Sequence, residues 1–395
     1  MEALRLVWEE SFTRYDFGPA HPMSPVRLDL TARLAAELGL LDRPGVRVVG
    51  ADAAPDDLLE TVHTAAYVAA VRAASTGSPD VAAALAAGLG TDDVPVFPDM
   101  HEASARVVAA TVDTALAVWS GAARHGVNFT GGLHHAMADR ASGFCVYNDV
   151  AVAIRALLDA GAERVAYVDV DVHHGDGVER IFWDDPRVLT ISLHETGRVL
   201  FPGTGYPADV GGPGAEGCAV NVAFPPGTRD GPWLRALDAV VPPLLRAYAP
   251  SVLVSQHGCD SHALDPLAHM ALSVDGQRQA CVVLHDLAHE VAAGRWVAVG
   301  GGGYEVVDVV PRTWSHLVGI AAHAPVEPSA DVPRGWREHV LERYGRVPPL
   351  RMTDGGDLSY RSWRSGSDPE DPVDRAVMAT RKAVFPLHGL DPWYD

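Results

Sequence analysis

The chain has 395 residues, 48% hydrophobic and 21% charged, which suits a soluble globular protein long enough for one large α/β domain. Its formal net charge of -20 argues against nucleic acid or an anionic membrane as the main partner and favours cationic, lysine-bearing ones. The widely spaced Cys145, Cys218, Cys259 and Cys281 make neither a disulfide framework nor a thiolate zinc site, and with no leader in "MEALRLVWEESF" and no bilayer-length apolar run, the expected location is a reducing cytoplasm.

In chain order, short Val-rich runs end in polar or glycine clusters: "LRLVWEE", "VRVVGA", "VNFTGG", "RVAYVDVDVHHG", "VLTISLHE", "CAVNVAF", "SVLVSQHG" and "RWVAVGGGG". Between them, stretches such as "SARVVAATVDTALAVWSGAAR" and "YNDVAVAIRALLDAGA" have the spacing of amphipathic helices. This alternation predicts an α/β fold with about eight strands in a mainly parallel sheet and helices on both faces. No internal repeat or low-complexity tract appears. Residues 1–325 read as one catalytic domain, and 326–395, richer in Pro, Arg and Asp, as a C-terminal extension packed on the core.

In such a fold the ligand site lies at the carboxyl ends of the strands, and the chemically loaded residues fall just there. His134 and His135 follow "VNFTGG", where Gly131 and Gly132 allow the irregular turn that brings two adjacent imidazoles to one site. In "VDVDVHHGDG", Asp169, Asp171 and His173 alternate, so in an extended chain they point the same way. Inward carboxylates at a strand end are costly to bury without a cation, and Asp260 after "SVLVSQHG" offers a third ligand. An Asp-His-Asp set suits zinc or iron(II), leaves positions for water and substrate, and so predicts metal-assisted hydrolysis of a carbonyl compound. His134, His135 and Tyr304, which follows "VAVGGGG", have the chemistry of a proton shuttle and an oxyanion donor. Asp169 and Asp176 remain to orient the imidazoles. The run Gly300 to Gly303 lacks the spacing of a phosphate loop.

These residues, with "HPMSPVR", "GLGTDD", "GGLHHAMADRASGFCVYND", "FPGTG", "CDSHALDP" and "GGGGY", resemble the zinc-dependent histone deacetylase family over roughly residues 15–320. The likeness is greatest to its bacterial acetoin utilisation protein branch. The resemblance implies the single-domain arginase/deacetylase fold and hydrolysis of the acetyl amide of N-ε-acetyl-lysine in proteins, acetyl-CoA synthetase being the usual proposed partner. It implies zinc on Asp171, His173 and Asp260, with His135 as general base and acid, His134 as its electrostatic partner and Tyr304 as transition-state donor. Asp169 and Asp176 match the partners of the two histidines. Gly143, Phe144, Phe201, Leu267 and Gly302 match substrate-tunnel positions, Asp93 (or its neighbour Asp92) the rim aspartate, and Arg27 a residue at an acetate exit. A structural K+ or Na+ is implied on Asp169 and Ser192, with backbone carbonyls of Asp171, His173 and Leu193.

Three alternatives compete. A binuclear arginase-like hydrolase needs further bridging carboxylates, and Gly258 and His262 stand where they belong. A non-catalytic acyl-lysine binder is expected to have lost a ligand or Tyr304. A deacetylase of acetylpolyamines or other small amides needs acid at the tunnel mouth, for which Asp92, Asp93 and Glu195 are the candidates. Oligomeric state and acyl-chain preference are not legible.

Overall fold

A computed structural model describes residues 2–77 and 80–395. All eight Val-rich runs form strands: β1 (Glu2–Val7), β2 (Val46–Val49), β3 (Ala123–Asn128), β4 (Val165–Asp169), β5 (Val188–Glu195), β6 (Ala219–Phe224), β7 (Val252–Gln256) and β8 (Trp296–Val299). They make one sheet in the order β2-β1-β3-β8-β7-β4-β5-β6, and every neighbouring pair is parallel. β4, β5, β7 and β8 are buried along their whole length. Because alternate side chains point to opposite faces, both faces must be covered.

The cover comes as two groups of helices. Met100–Trp119 packs on Asp149–Asp159 and Ala65–Ser75, while Val26–Glu37, Val310–Ala321, Val274–Val291 and Asp230–Tyr248 pack on one another in that order. The stretch expected as a helix from Ser104 to Arg124 starts earlier and stops at Trp119. Gly121, at φ +77°, turns the chain so that Ala123 and Arg124 already belong to β3. Asp149–Asp159 starts where the Asn148 side chain accepts a hydrogen bond from the Ala151 N–H at 2.9 Å, a cap that sets the helix beside the site loop.

Residues after 325 lie against this core. Trp336 is buried among Leu30, Leu34, Val307 and Met352, and its indole N–H donates to the Leu30 carbonyl at 2.9 Å. The helix Pro372–Val384 packs on β6, the last strand of the sheet, and on Asp230–Tyr248. A buried ion pair, Arg235 to Asp374 at 2.8 Å, ties it down. Among the described residues, no helix is long and apolar enough to cross a membrane.

Candidate active site

The loaded residues follow β3, β8, β7 and β4, which are contiguous in the middle of the sheet, so four distant segments meet along one edge. Glycines make the meeting sterically possible. Gly132 has φ +91°, and a Cβ there would clash with the Gly300 backbone; a Cβ on Gly131 would strike Asp149 and Thr111. The Asp149 carboxylate accepts the N–H groups of Gly132 and Leu133, at 3.1 and 2.8 Å, and so pins the turn that carries the histidine pair.

β4 ends at Asp169, and Asp171 to His173 lie on the loop beyond it. The extended alternation expected for this segment is therefore replaced by a turn, and the three side chains divide. Asp169 faces away from the cluster: its Oδ2 lies 2.7 Å from His134 Nδ1 and accepts from the Tyr167 hydroxyl at 2.6 Å. Asp171 and His173 turn towards Asp260, with His173 Nδ1 at 3.1 Å from Asp171 Oδ1 and 3.0 Å from Asp260 Oδ2. Both carboxylates are fully buried.

Asp171, His173 and Asp260 offer one ligand atom each, all within 4.8 Å of one another. Around a tetrahedral ion with bonds of about 2.0–2.2 Å, ligand atoms stand about 3.3–3.6 Å apart, so a small contraction or expansion of this triangle admits zinc. Gly258 and Gly302 leave room for the carboxylates, since a Cβ on either would collide with Asp171 or Asp260. The residues thus fit a cation of zinc type. Without one, burial opposes the charge on His173, but Asp260 and Asp171 outweigh it and hold the imidazolium up to about 10. Burial and the charge of Asp171 push Asp260 up to about 6.

The tandem histidines differ electrostatically although they are neighbours. Their Nε2 atoms lie 3.0 Å apart, and each Nδ1 has its own carboxylate at 2.7 Å: Asp169 for His134, Asp176 for His135. Burial works against charge on His134, but Asp169 first and Asp171 next raise it to about 9. Burial, reinforced by the charge of His134, lowers His135 to about 4. One imidazole is held charged and the other neutral, the separation of roles that acid–base chemistry needs.

Above the cluster a cavity of about 280 Å³ is lined by Asp93, His135, Gly143, Phe144, His173, Leu200, Phe201, Leu267 and Tyr304. Phe144 stands edge-on to Tyr304, with ring centroids 5.7 Å apart, and Phe201 edge-on to His135 at 5.0 Å. Gly143 (φ +55°) and Phe144 (φ +66°) are both left-handed, and a Cβ on Gly143 would collide with the His135 ring. Asp93, not the exposed Asp92, lines the cavity, and its carboxylate accepts the Gly143 N–H at 2.8 Å. Burial raises the Tyr304 phenol well above its ordinary range, and Asp260 adds to the effect, so it stays protonated.

Other expected residues lie elsewhere. Gly302 sits beneath the ligands, donating its N–H to Asp171 Oδ2 at 2.9 Å. Arg27 is buried, donates to the Gly301 carbonyl at 2.5 Å and stacks on Trp314, beside a cavity of about 10 Å³ that holds a single water at most. Asp169 and Ser192 are register partners on β4 and β5. Leu193 is the next residue of β5. Glu195, a candidate for the tunnel mouth, is buried and occupied in accepting from His269 N and Nδ1 at 2.9 and 2.8 Å. It is not a free acid at the mouth.

Three contributors escaped the sequence reading. Gln256, the register partner of Asp169 on β7, donates to Asp171 Oδ2 at 2.8 Å. Tyr167 braces Asp169. Asp265 accepts the Tyr304 N–H at 2.8 Å, and burial with the nearby Asp260 raises it to about 7. Gln256 and Asp265 stand inside quoted motifs, where a polar residue at a strand end or in a turn was the only signal.

A histone deacetylase domain model matches residues 21–321. The chain belongs to the histone deacetylase family, and it is a deacetylase-family hydrolase. Within that family its likeness is to the acetoin utilisation branch. It is 36% identical over 376 residues to the acetoin utilization protein AcuC of Bacillus subtilis (strain 168), covering 95% of this chain and 93% of that one. It is also 36% identical over 330 residues to AcuC of Staphylococcus xylosus, covering 84% and 85%. A crystal structure of an HDAC homolog complexed with SAHA superposes with a TM-score of 0.83 at 25% identity, covering 95% of this chain and 99% of the other.

Proposed function

We propose that this protein hydrolyses the acetyl amide of N-ε-acetyl-lysine in a protein substrate and releases acetate, with zinc as its metal. The observation that carries this reading is the Asp171–His173–Asp260 triangle at the floor of an aromatic-walled cavity, beside one charged and one neutral histidine. When bound, the metal polarises the amide carbonyl and lowers the pKa of a water towards neutrality. Iron(II) suits the same oxygen and nitrogen donors.

The chain's own groups divide the remaining work. His135 takes the water's proton and returns it to the leaving lysine amine, steadied by Asp176 at Nδ1. His134, charged against Asp169, stabilises the negative charge that grows on the carbonyl oxygen, and the Tyr304 hydroxyl donates to that oxygen. Asp169 is the foremost of the charges that raise His134. Phe144, Phe201 and Leu267 suit the methylene chain of an acyl-lysine, Gly143 permits its close approach, Gly302 makes room for the carboxylates beneath, and Asp93, in the cavity wall, would grip substrate backbone amides. K+ or Na+ would rest on Asp169 and Ser192 with the carbonyls of Asp171, His173 and Leu193. Acetate would leave past Arg27, a route that requires the small cavity there to open. The cytoplasm is the proposed location, and acetyl-CoA synthetase, the partner usually proposed for the acetoin branch, is one substrate to try.

Asp93 in the cavity wall supports a second reading, an acetylated small amine. Acetate release by zinc-loaded protein from an acetyl-lysine peptide and from an acetylated polyamine, side by side, decides between them. Peptide turnover is the expected result; turnover of the polyamine alone would move the protein to small-molecule metabolism.

A further inference from the structure

Among the described residues, one other cluster of metal-ligating side chains exists, and it lies at the opposite end of the sheet. His125 stands near the start of β3; His285 and His289 are one turn apart near the end of the helix Val274–Val291; His323 follows the end of the helix Val310–Ala321. Each offers one ring nitrogen, and these four atoms all lie within 4.8 Å of one another. We propose that His125, His285, His289 and His323 form a second metal site, which takes a borderline divalent ion of zinc type through four imidazole nitrogens.

The geometry is that of ligands turned inward. Nε2 of His125 and Nε2 of His289 face each other at 3.1 Å, close to the separation of about 3.3 Å that a tetrahedral ion with bonds near 2.0 Å imposes on its ligands. His125 is fully buried, and its Nδ1 donates to the Ala321 carbonyl at 2.7 Å, which leaves Nε2 with a lone pair towards the cluster. His285 repeats the pattern. Its Nδ1 lies 3.1 Å from the Asp286 carboxylate, while Nε2 is buried without any hydrogen-bond partner, a group that an ion would satisfy. His289 and His323 are exposed, so an ion can enter.

Two further features fit. His323 has φ +52°, in a left-handed position after a helix where glycine or asparagine is usual, so a histidine is kept there at some conformational cost. Burial and repulsion from neighbouring imidazoles lower His125 to about 3 and push His289 and His323 below their ordinary value. The indole of Trp296 closes the inner side, with its centroid 5.7 Å from His125 and 5.6 Å from His285. Arg124, which donates to the Ala293 carbonyl at 3.1 Å, opposes a cation at the cluster, and Asp286 opposes Arg124. Imidazole donors with no carboxylate among them select zinc, nickel, cobalt or copper over magnesium or calcium.

The test is the metal content of protein purified without a polyhistidine tag, stripped with a chelator and titrated with zinc. Two ions per chain are expected for the unaltered protein, one for Asp260→Ala, and one for His289→Gln/His323→Asn, whose altered positions are exposed. In the Asp260→Ala background, cobalt should give the visible absorption of a tetrahedral nitrogen site, and His323→Asn should abolish it. Stoichiometry is read without turnover, so the result stands apart from the deacetylase reading. No ion in Asp260→Ala, or an ion count unchanged in the double variant, would overturn the proposal.

Discussion

The two ends of the sheet hold ligands of different kinds. At the carboxyl end, two fully buried carboxylates and one imidazole meet beneath a cavity, with two more histidines and a phenol at hand. At the amino end four imidazoles meet at the rim, two of them exposed, with the Asp286 carboxylate beside His285. The carboxyl end surrounds its carboxylates with two differently poised imidazoles and a phenol; the amino end only ties β3 to two helix termini. Two clusters of ligand atoms of similar span thus differ in the groups that surround them.

The largest expected effect comes from Asp260→Ala. Removing this ligand should cost about 10³-fold or more in acetate release and one zinc per chain, while the amino-end histidines keep theirs. Zinc content and turnover of one preparation check both halves. Tyr304→Phe should retain zinc but lower kcat by about 10²–10³-fold, because it removes only the oxyanion donor. A drop in zinc content in that variant would break the distinction between ligand and donor. Asp176→Asn should lower kcat by about 10–100-fold with little change in KM, because His135 loses the partner that orients it.

A smaller effect belongs to neither end. Burial lowers His63 to about 4 against the opposing pull of the Met137 carbonyl, 3.0 Å from its Nδ1, while Nε2 accepts the Asn148 N–H at 3.0 Å. The unfolded chain takes up this proton near pH 6.5 and the folded chain only near pH 4. Stability should fall as pH drops through that window, by about 3 kcal/mol from this group. Chemical denaturation of the wild type and His63→Gln at pH 7 and pH 4 measures it, and equal slopes in the two proteins would remove the assignment. Smallest of all, His289→Gln/His323→Asn should leave kcat within about twofold, a difference of less than 0.5 kcal/mol in barrier; a large loss would couple the two ends.

Strand positions were legible because apolar runs closed by glycine or acid mark buried parallel strands whatever packs on them. The convergence of Asp171, His173 and Asp260 was legible too, since residues at several strand ends meet in this architecture. What spacing missed was direction. Asp169 alternates with Asp171 on paper, yet the strand stops at Asp169 and the loop turns Asp171 the other way. Glu195 stood beside a site motif but is capped by His269. Gln256 matters only because β7 lies next to β4, a neighbour relation that no local pattern carries. The four-histidine cluster was hidden for the same reason: only His285 and His289, one turn apart, share an element.

The most direct measurement is acetate release from an acetyl-lysine peptide by metal-stripped protein, by the same protein reloaded with saturating zinc, and by reloaded His135→Ala. The account predicts that the stripped protein is silent, that zinc restores turnover, and that His135→Ala stays lower by about 10²-fold or more with its zinc in place. Equal turnover with and without metal, or wild-type turnover in His135→Ala, would contradict it.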